Sequence, residues 1–163
     1  MSAGEALDFR PYRERVPSVM LGGVEQRLEF IDSTVAKTYE WLREVRERGN
    51  LGDLHDAYQA VRAVLHAVRD RIEPNVAAHF SAQLPLLLRG VFYEGWVPAK
   101  TPMRMSVSEF LDRVEAEANL KGTSAAEDAT RAVMSVCEDE LGEGTVSHLL
   151  SVLPADYAPF MWD

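Results

Sequence analysis

The chain is short of cysteine: its 163 residues hold one, Cys137. An intramolecular disulfide is therefore excluded, and so is a zinc site built on thiolates, which needs at least two of them. Long hydrophobic runs are missing too. Every apolar stretch is interrupted within a few residues, whereas a membrane helix needs about 20 apolar residues in a row. No membrane partner is expected. The first residues have no basic stretch leading into an apolar run, so no signal peptide is expected and the cytoplasm is the expected location. Base is scarce, with 17 Lys and Arg against 26 Asp and Glu and a formal net charge of −9. Nucleic acid is excluded as the main partner, because phosphate contacts need Lys and Arg. Catalytic fingerprints are also lacking: there is no Walker loop, dinucleotide fingerprint, HExxH or nucleophile elbow. Di-iron bundles need paired Glu-x-x-His motifs, but the residues three before each histidine are Gly52, Ala63, Val76 and Thr145. No cofactor and no metal are expected, and catalysis is not the favoured function.

What is present is an ordinary globular composition, with 47% apolar and 26% charged residues. That excludes low-complexity disorder and supports one core or two small ones. A repeat organises most of the chain. Residues 40–94 align without a gap on residues 109–163, at an offset of 69 residues and with 14 identities in 55 positions. Arg62-Ala63-Val64 recurs as Arg131-Ala132-Val133, Asn50-Leu51 as Asn119-Leu120, and Leu84-Pro85 as Leu153-Pro154. Asp70 matches Asp139 and His79 matches His148, while pairs such as Leu65/Met134 and Phe80/Leu149 keep apolar character. Two copies are too few for a long solenoid, so they are expected to pack on each other.

Each copy reads as four helices. In the second, Ser106-Val107-Ser108-Glu109 has capping-box spacing, and Phe110, Leu111, Val114 and Ala118 follow at helical intervals. Gly122 is expected to end that helix in a left-handed conformation, and Ser124 to Glu127 to cap the next. The second helix then places Ala126, Ala129, Val133, Val136, Cys137 and Leu141 on one face, until Gly142 to Gly144 break it. A short third helix carries Val146, Leu149, Leu150 and Leu153. Pro154 opens a very short fourth, which Pro159 is expected to stop; Phe160, Met161 and Trp162 then dock on the core. The first copy follows the same plan, with Ala57, Ala60, Val61, Val64, Ala67 and Val68 on one face of its second helix. Pro74 and Pro85 open its last two helices, and Gly90 stands as the breaker at the place of Pro159. Neither copy alternates as a strand does. The expected fold is all-α: two tandem four-helix units packed together. Residues 1–29 form an N-terminal extension, 30–96 the first unit, 97–105 a linker and 106–163 the second unit.

The most distinctive text is Leu84-Pro-Leu-Leu-Leu-Arg-Gly-Val-Phe-Tyr-Glu-Gly-Trp96, with Ala63-Val-Leu-His-Ala-Val-Arg-Asp-Arg71 before it and Glu109-Phe-Leu-Asp-Arg-Val114 after it. It resembles the bacterial domain-of-unknown-function family numbered 2267, in the repeated Leu-Pro after a short helix and the Tyr-Glu-Gly-Trp ending of the first copy. The resemblance covers about residues 35–162. It implies a duplicated, all-helical cytoplasmic protein and supplies no activity and no catalytic residues. The second copy departs from the pattern at Ala155-Asp156-Tyr157-Ala158-Pro159, which is less regular than Leu86 to Gly90.

Two symmetric pairs are the candidate ligand-binding residues. His79 and His148 would act as metal ligands or acid–base groups if the copies pack about a two-fold axis. Duplication alone also explains their symmetry, and that simpler reading makes them ordinary helix residues. Arg62 and Arg131 would clamp an anion, or lay their stems on the core and pair locally. His55 and His66 face serines in the other copy and are weaker candidates. The acidic run Glu138-Asp139-Glu140 lacks the calcium-loop pattern and reads as a solvated face. Cys137 reads as a buried, inert thiol. Phe92, Tyr93 and Trp96 form an aromatic cluster that either covers the junction between copies or presents an interaction surface.

Charge divides unevenly between the copies. Residues 1–105 carry 14 acids and 14 bases, while residues 106–163 carry 12 acids and three bases. A partner that reads charge is thus expected on the second copy. The favoured function is a non-catalytic protein-interaction or self-association module, with a protein partner or a homo-oligomer. The alternative is a small-molecule-binding protein or enzyme in which Arg62, Arg131, His79 and His148 converge on one enclosed groove between the copies.

Overall fold

Helical periodicity dominates the chain, and the computed structural model, which describes residues 27–142 and 144–161, contains eight α-helices and no strand among them. They are α1 Glu29–Arg48, α2 Leu54–Arg71, α3 Pro74–Gln83, α4 Leu86–Tyr93, α5 Val107–Ala118, α6 Thr123–Glu140, α7 Thr145–Val152 and α8 Ala158–Met161. Short 3-10 turns occupy Pro98–Lys100 and Ala155–Tyr157. The protein is all-α. The bounds of α6 are those of α2 moved on by 69 positions. Among the described residues no helix is long and apolar enough to cross a membrane.

The long helices α2 and α6 form the centre. Both are rich in alanine on their inner faces, at Ala57, Ala60, Ala63 and Ala67 in α2 and at Ala126, Ala129 and Ala132 in α6, all buried. Small side chains let helix axes come close, and the distance between packed helices is set by the residues at the contact. Helix α2 packs on α1, α4, α5 and α6. It is therefore covered on more than the single face its spacing suggests, with Ala63 and Leu65 buried as well; a helix apolar nearly all round belongs inside. The remaining packing is reciprocal: α1 lies on α6 as α5 lies on α2, and α3 lies on α7. Phe160 and Met161 are buried in the core, whereas Trp162 and the extension up to residue 26 lie outside the described residues.

Local chemistry sets the helix ends, not always where spacing suggests. Ser106 and Glu109 form the expected capping box on α5. Pro74 sits in the first turn of α3, where its missing N–H costs nothing. The left-handed residue after α5 is Asn119 (φ 53°), not Gly122, and Asn50 (φ 48°) plays the same part after α1. Asparagine reaches this region because its short polar side chain bonds locally, which accounts for the repeated Asn-Leu. Gly122 instead stands at the N-cap of α6 with φ 96°, and no side chain caps that helix. Ser124 is therefore inside the helix, because α6 starts two residues earlier than a Ser124 cap requires. Gly90 breaks nothing, since α4 continues through it to Tyr93. Pro159 does not stop the last helix either; it falls in the first turn of α8, where proline is tolerated.

Charged side chains join the two halves of the chain. Asp70 on α2 is buried and accepts two hydrogen bonds from Arg69, at 2.8 and 3.2 Å, and one from Arg113 of α5 at 2.5 Å. Arg113 also donates to Glu117, four residues on. Asp139, the counterpart of Asp70, meets Arg48 of α1 at 2.8 Å, and Arg48 pairs with Glu44 four residues back. Lys37 of α1 reaches Glu140 at 2.5 Å. Part of the acidic excess in the second half therefore faces bases of the first half, and is not free for an outside partner.

Two outcomes test this description. Replacing Asn50 or Asn119 by Ala puts in the left-handed region a residue without asparagine's tolerance for it and costs about 1 kcal/mol, whereas Gly, which has no Cβ, is neutral; equal urea midpoints for the Ala and Gly variants would refute it. Burial alone would raise the Asp70 carboxyl, but the hydrogen bonds from Arg69 and Arg113 outweigh it and hold the group below the usual carboxylate range. A lowered folded-state pKa stabilises above the unfolded value of about 3.9, and that stability is lost as pH falls through the folded value. Asp70→Asn leaves two guanidinium groups without their carboxylate, at a cost of about 3 kcal/mol at neutral pH. It also flattens the acid limb of the stability–pH curve measured by denaturant titration.

Candidate functional site

The two histidines expected as a symmetric pair border the same groove. A groove of about 360 Å³ runs between α3 and α7, and both His79 and His148 line it. On α3 the lining residues Val76, His79, Phe80 and Gln83 follow helical spacing, as Thr145, His148 and Leu149 do on α7. Phe80 and Leu149 are buried and form its floor. Both imidazoles are exposed, and neither ring has a hydrogen-bond or ion-pair partner among the described residues.

The arginines do not join them. Arg62 leaves α2 toward Glu94, with two hydrogen bonds of 3.3 and 3.4 Å. Arg131 lines a separate depression with Arg48, Asp128 and Ser135, and donates to the Pro159 carbonyl at 3.3 Å. The four residues therefore share no single enclosed pocket. Neither arginine reaches the aspartate eight residues further on, because Asp70 and Asp139 are held by Arg113 and Arg48 across the two halves.

His66, a weak candidate on spacing, is the histidine built into the interior. Its Nε2–H donates to the Val91 carbonyl at 2.7 Å, and its Nδ1 lies 3.8 Å from Glu117. Burial lowers its pKa, the Val91 bond opposes this, and nearby Arg69 and Arg62 push it down further. The ring is thus a donor that ties α2 to α4. Of the aromatic cluster, Phe92 is fully enclosed between Phe80 and Tyr93, so it offers nothing to a partner. Tyr93 and Trp96 are half-buried and stack at 5.2 Å, and the Tyr93 hydroxyl bonds Ser81.

A second groove escaped the sequence reading. It measures about 340 Å³ and lies between the first half of α1, the Leu84–Leu86 elbow and the end of α6. Phe30 and Leu86, 62% and 56% exposed, form its lips. Trp41 lines it from inside; its indole N–H is buried without an acceptor among the described residues. The Lys37–Glu140 pair sits on its rim, and the Leu87 amide donates to Thr34, fixing α4 against α1. The signal in the sequence was the run Phe30-Ile31 with Val35, apolar residues that the repeat alignment leaves outside.

Among the described residues, no three His, Cys, Asp or Glu side chains cluster to hold a metal, and no nucleophile–base pair is assembled. Structure and grooves together define an all-helical protein with open clefts between helix pairs. The chain belongs to the family described as "Uncharacterized conserved protein (DUF2267)", whose model matches residues 38–160. No curated protein matches it.

Cys137 is buried, and burial pushes its thiol up to about 12. A thiol so shielded is protonated and inert. Native protein at pH 8 is therefore expected to leave Cys137 unmodified by a chromogenic disulfide reagent, with one thiol per chain appearing only on unfolding; rapid native labelling would contradict this.

Proposed function

We propose that the chain is a non-catalytic interaction module that self-associates through the face formed by the starts of α1 and α4. The observation that carries the reading is the exposure of Leu28, Phe30, Ile31 and Val35 at one helix start and of Leu86 and Leu87 at the other, with Phe30 and Leu86 flanking one groove. A cluster of large exposed apolar side chains marks an interaction site. The proposed occupant is a second copy. The rim carries both signs, in the Arg27–Asp32 and Lys37–Glu140 pairs, and a surface with both signs can complement itself across a two-fold axis.

The same reading takes the chain as two tandem four-helix units, residues 30–96 and 106–163, in the cytoplasm. The matching bounds of α2 and α6, the reciprocal packing of α1 on α6 and α5 on α2, and the shared Asp–Arg device support it. A two-fold axis through the α2–α6 and α3–α7 contacts accounts for the first two; the two aspartates of the third are equivalent, but their arginines are not, since Glu44 and Glu117 stand at the positions matching Arg113 and Arg48.

Light scattering across a concentration series tests the association. The expected result is a concentration-dependent dimer. Phe30→Asp with Leu86→Asp weakens it on the order of 100-fold, since each side chain buries apolar area worth about 1.5–3 kcal/mol. Both residues are exposed, so the helicity of each chain stays unchanged. A monomer at every concentration, or a dimer indifferent to both substitutions, would overturn the reading.

A further inference from the structure

The α3–α7 groove is a different surface with different chemistry. Gln83, at the end of α3, lies beside Gly142 before the start of α7: a Cβ at Gly142 would stand 3.4 Å from Gln83 Oε1. Val76, Phe80, Thr145 and Leu149 line the same groove, so the helices run antiparallel past each other. One turn back along α3 from Gln83 is His79, and one turn along α7 from Gly144 is His148. Both imidazoles thus border this one groove, His79 from α3 and His148 from α7.

We propose that His79 and His148 form a chelating site for a divalent transition-metal ion of the zinc, nickel or copper kind. The lining decides the class of ligand. Among the described residues its lining contains no Lys, Arg, Asp or Glu, so these residues suit neither an anion nor a hard cation that wants carboxylate oxygens. Neutral imidazoles are the preferred donors for borderline metals. Both rings are free of competing partners among the described residues, and each projects from a helix anchored by the next residue, buried Phe80 or Leu149. Donors on packed helices are held more precisely than donors on loops. The chain supplies two ligands, half of a tetrahedral set, and the remaining positions face solvent. Gln83 and Thr145 are placed to hydrogen-bond a water held there, as groups around a metal commonly do.

The test is titration of the full chain with Zn²⁺ against a chromophoric chelator, with Co²⁺ absorption as a second readout. One ion per chain is expected. His79→Ala and His148→Ala each lower the affinity at least about tenfold, and the double variant is no weaker than either single one, since one imidazole alone does not chelate. His55→Ala, at an exposed histidine outside the groove, leaves the affinity unchanged. Circular dichroism verifies that the variants fold, and Gln at either position serves where Ala does not. Absence of saturable binding, several ions per chain insensitive to His79, or equal loss in the His55 variant would each overturn the site.

Discussion

The buried carboxylate of Asp70 is the point on which the arrangement of the two halves depends. Arg69 grips it with two hydrogen bonds and spends its remaining donors on the carbonyls of Phe92 and Glu94, both at 2.8 Å. Arg113 reaches the same carboxylate from α5, and the Asp70 carbonyl receives the Met103 amide of the connecting segment at 2.7 Å. One residue thus ties α2 to the end of α4, to α5 and to the chain between the halves. A buried ion pair adds little net stability, since desolvation offsets most of its Coulomb energy. Its effect here is on register. Sliding α5 by one turn along α2 would keep much of the apolar contact between them but would pull Arg113 away from the Asp70 carboxylate. The apolar packing favours association of the halves, and the charge cluster selects one alignment.

The other half uses a looser version of the same device. Asp139 accepts Arg48 from α1, but its side chain is 59% exposed, and an exposed pair of this kind contributes about 0–1 kcal/mol. The order of the helix pair is also reversed: Arg precedes Glu in Arg113–Glu117, and Glu precedes Arg in Glu44–Arg48. The two halves thus differ in net charge, yet each sets an aspartate against an arginine of the other. This gives the acidic excess of residues 106–163 a structural meaning. Asp139 and Glu140 answer Arg48 and Lys37, so the charge asymmetry is partly internal complementarity between halves and only the remainder is an outward field.

Periodicity and capping chemistry made the helices legible, because they are local. The Ser106–Glu109 box, Pro74 and the apolar faces act within one or two turns. What stayed illegible depends on neighbours distant in sequence. Gly90 continues a helix because α4 is held on α1 and α2, and no local preference reports that. Arg62 chose Glu94, 32 residues away, over the aspartate of its own helix. The equivalence of His79 and His148 was readable; their placement across one groove required the antiparallel packing of α3 and α7. The Trp41 groove had the weakest signal, since a single buried tryptophan on an apolar helix face reads only as core.

The two grooves share one side chain. Gln83 ends α3 and lines both the histidine cleft and the Trp41 cleft. Its amide offers a carbonyl and an NH₂ group on a rotatable stem, so recruiting it toward one cleft withdraws it from the other. Coupling between two sites is reciprocal and cannot exceed the free energy of the element that both bias. Here that element is one amide, and a hydrogen bond contributes about 1 kcal/mol net. Occupation of one cleft can therefore alter affinity at the other by no more than about fivefold. Phe80 and Leu84, on either side of Gln83, are buried, so the Gln83 amide is the group that the two clefts share, on a frame fixed by Asp70.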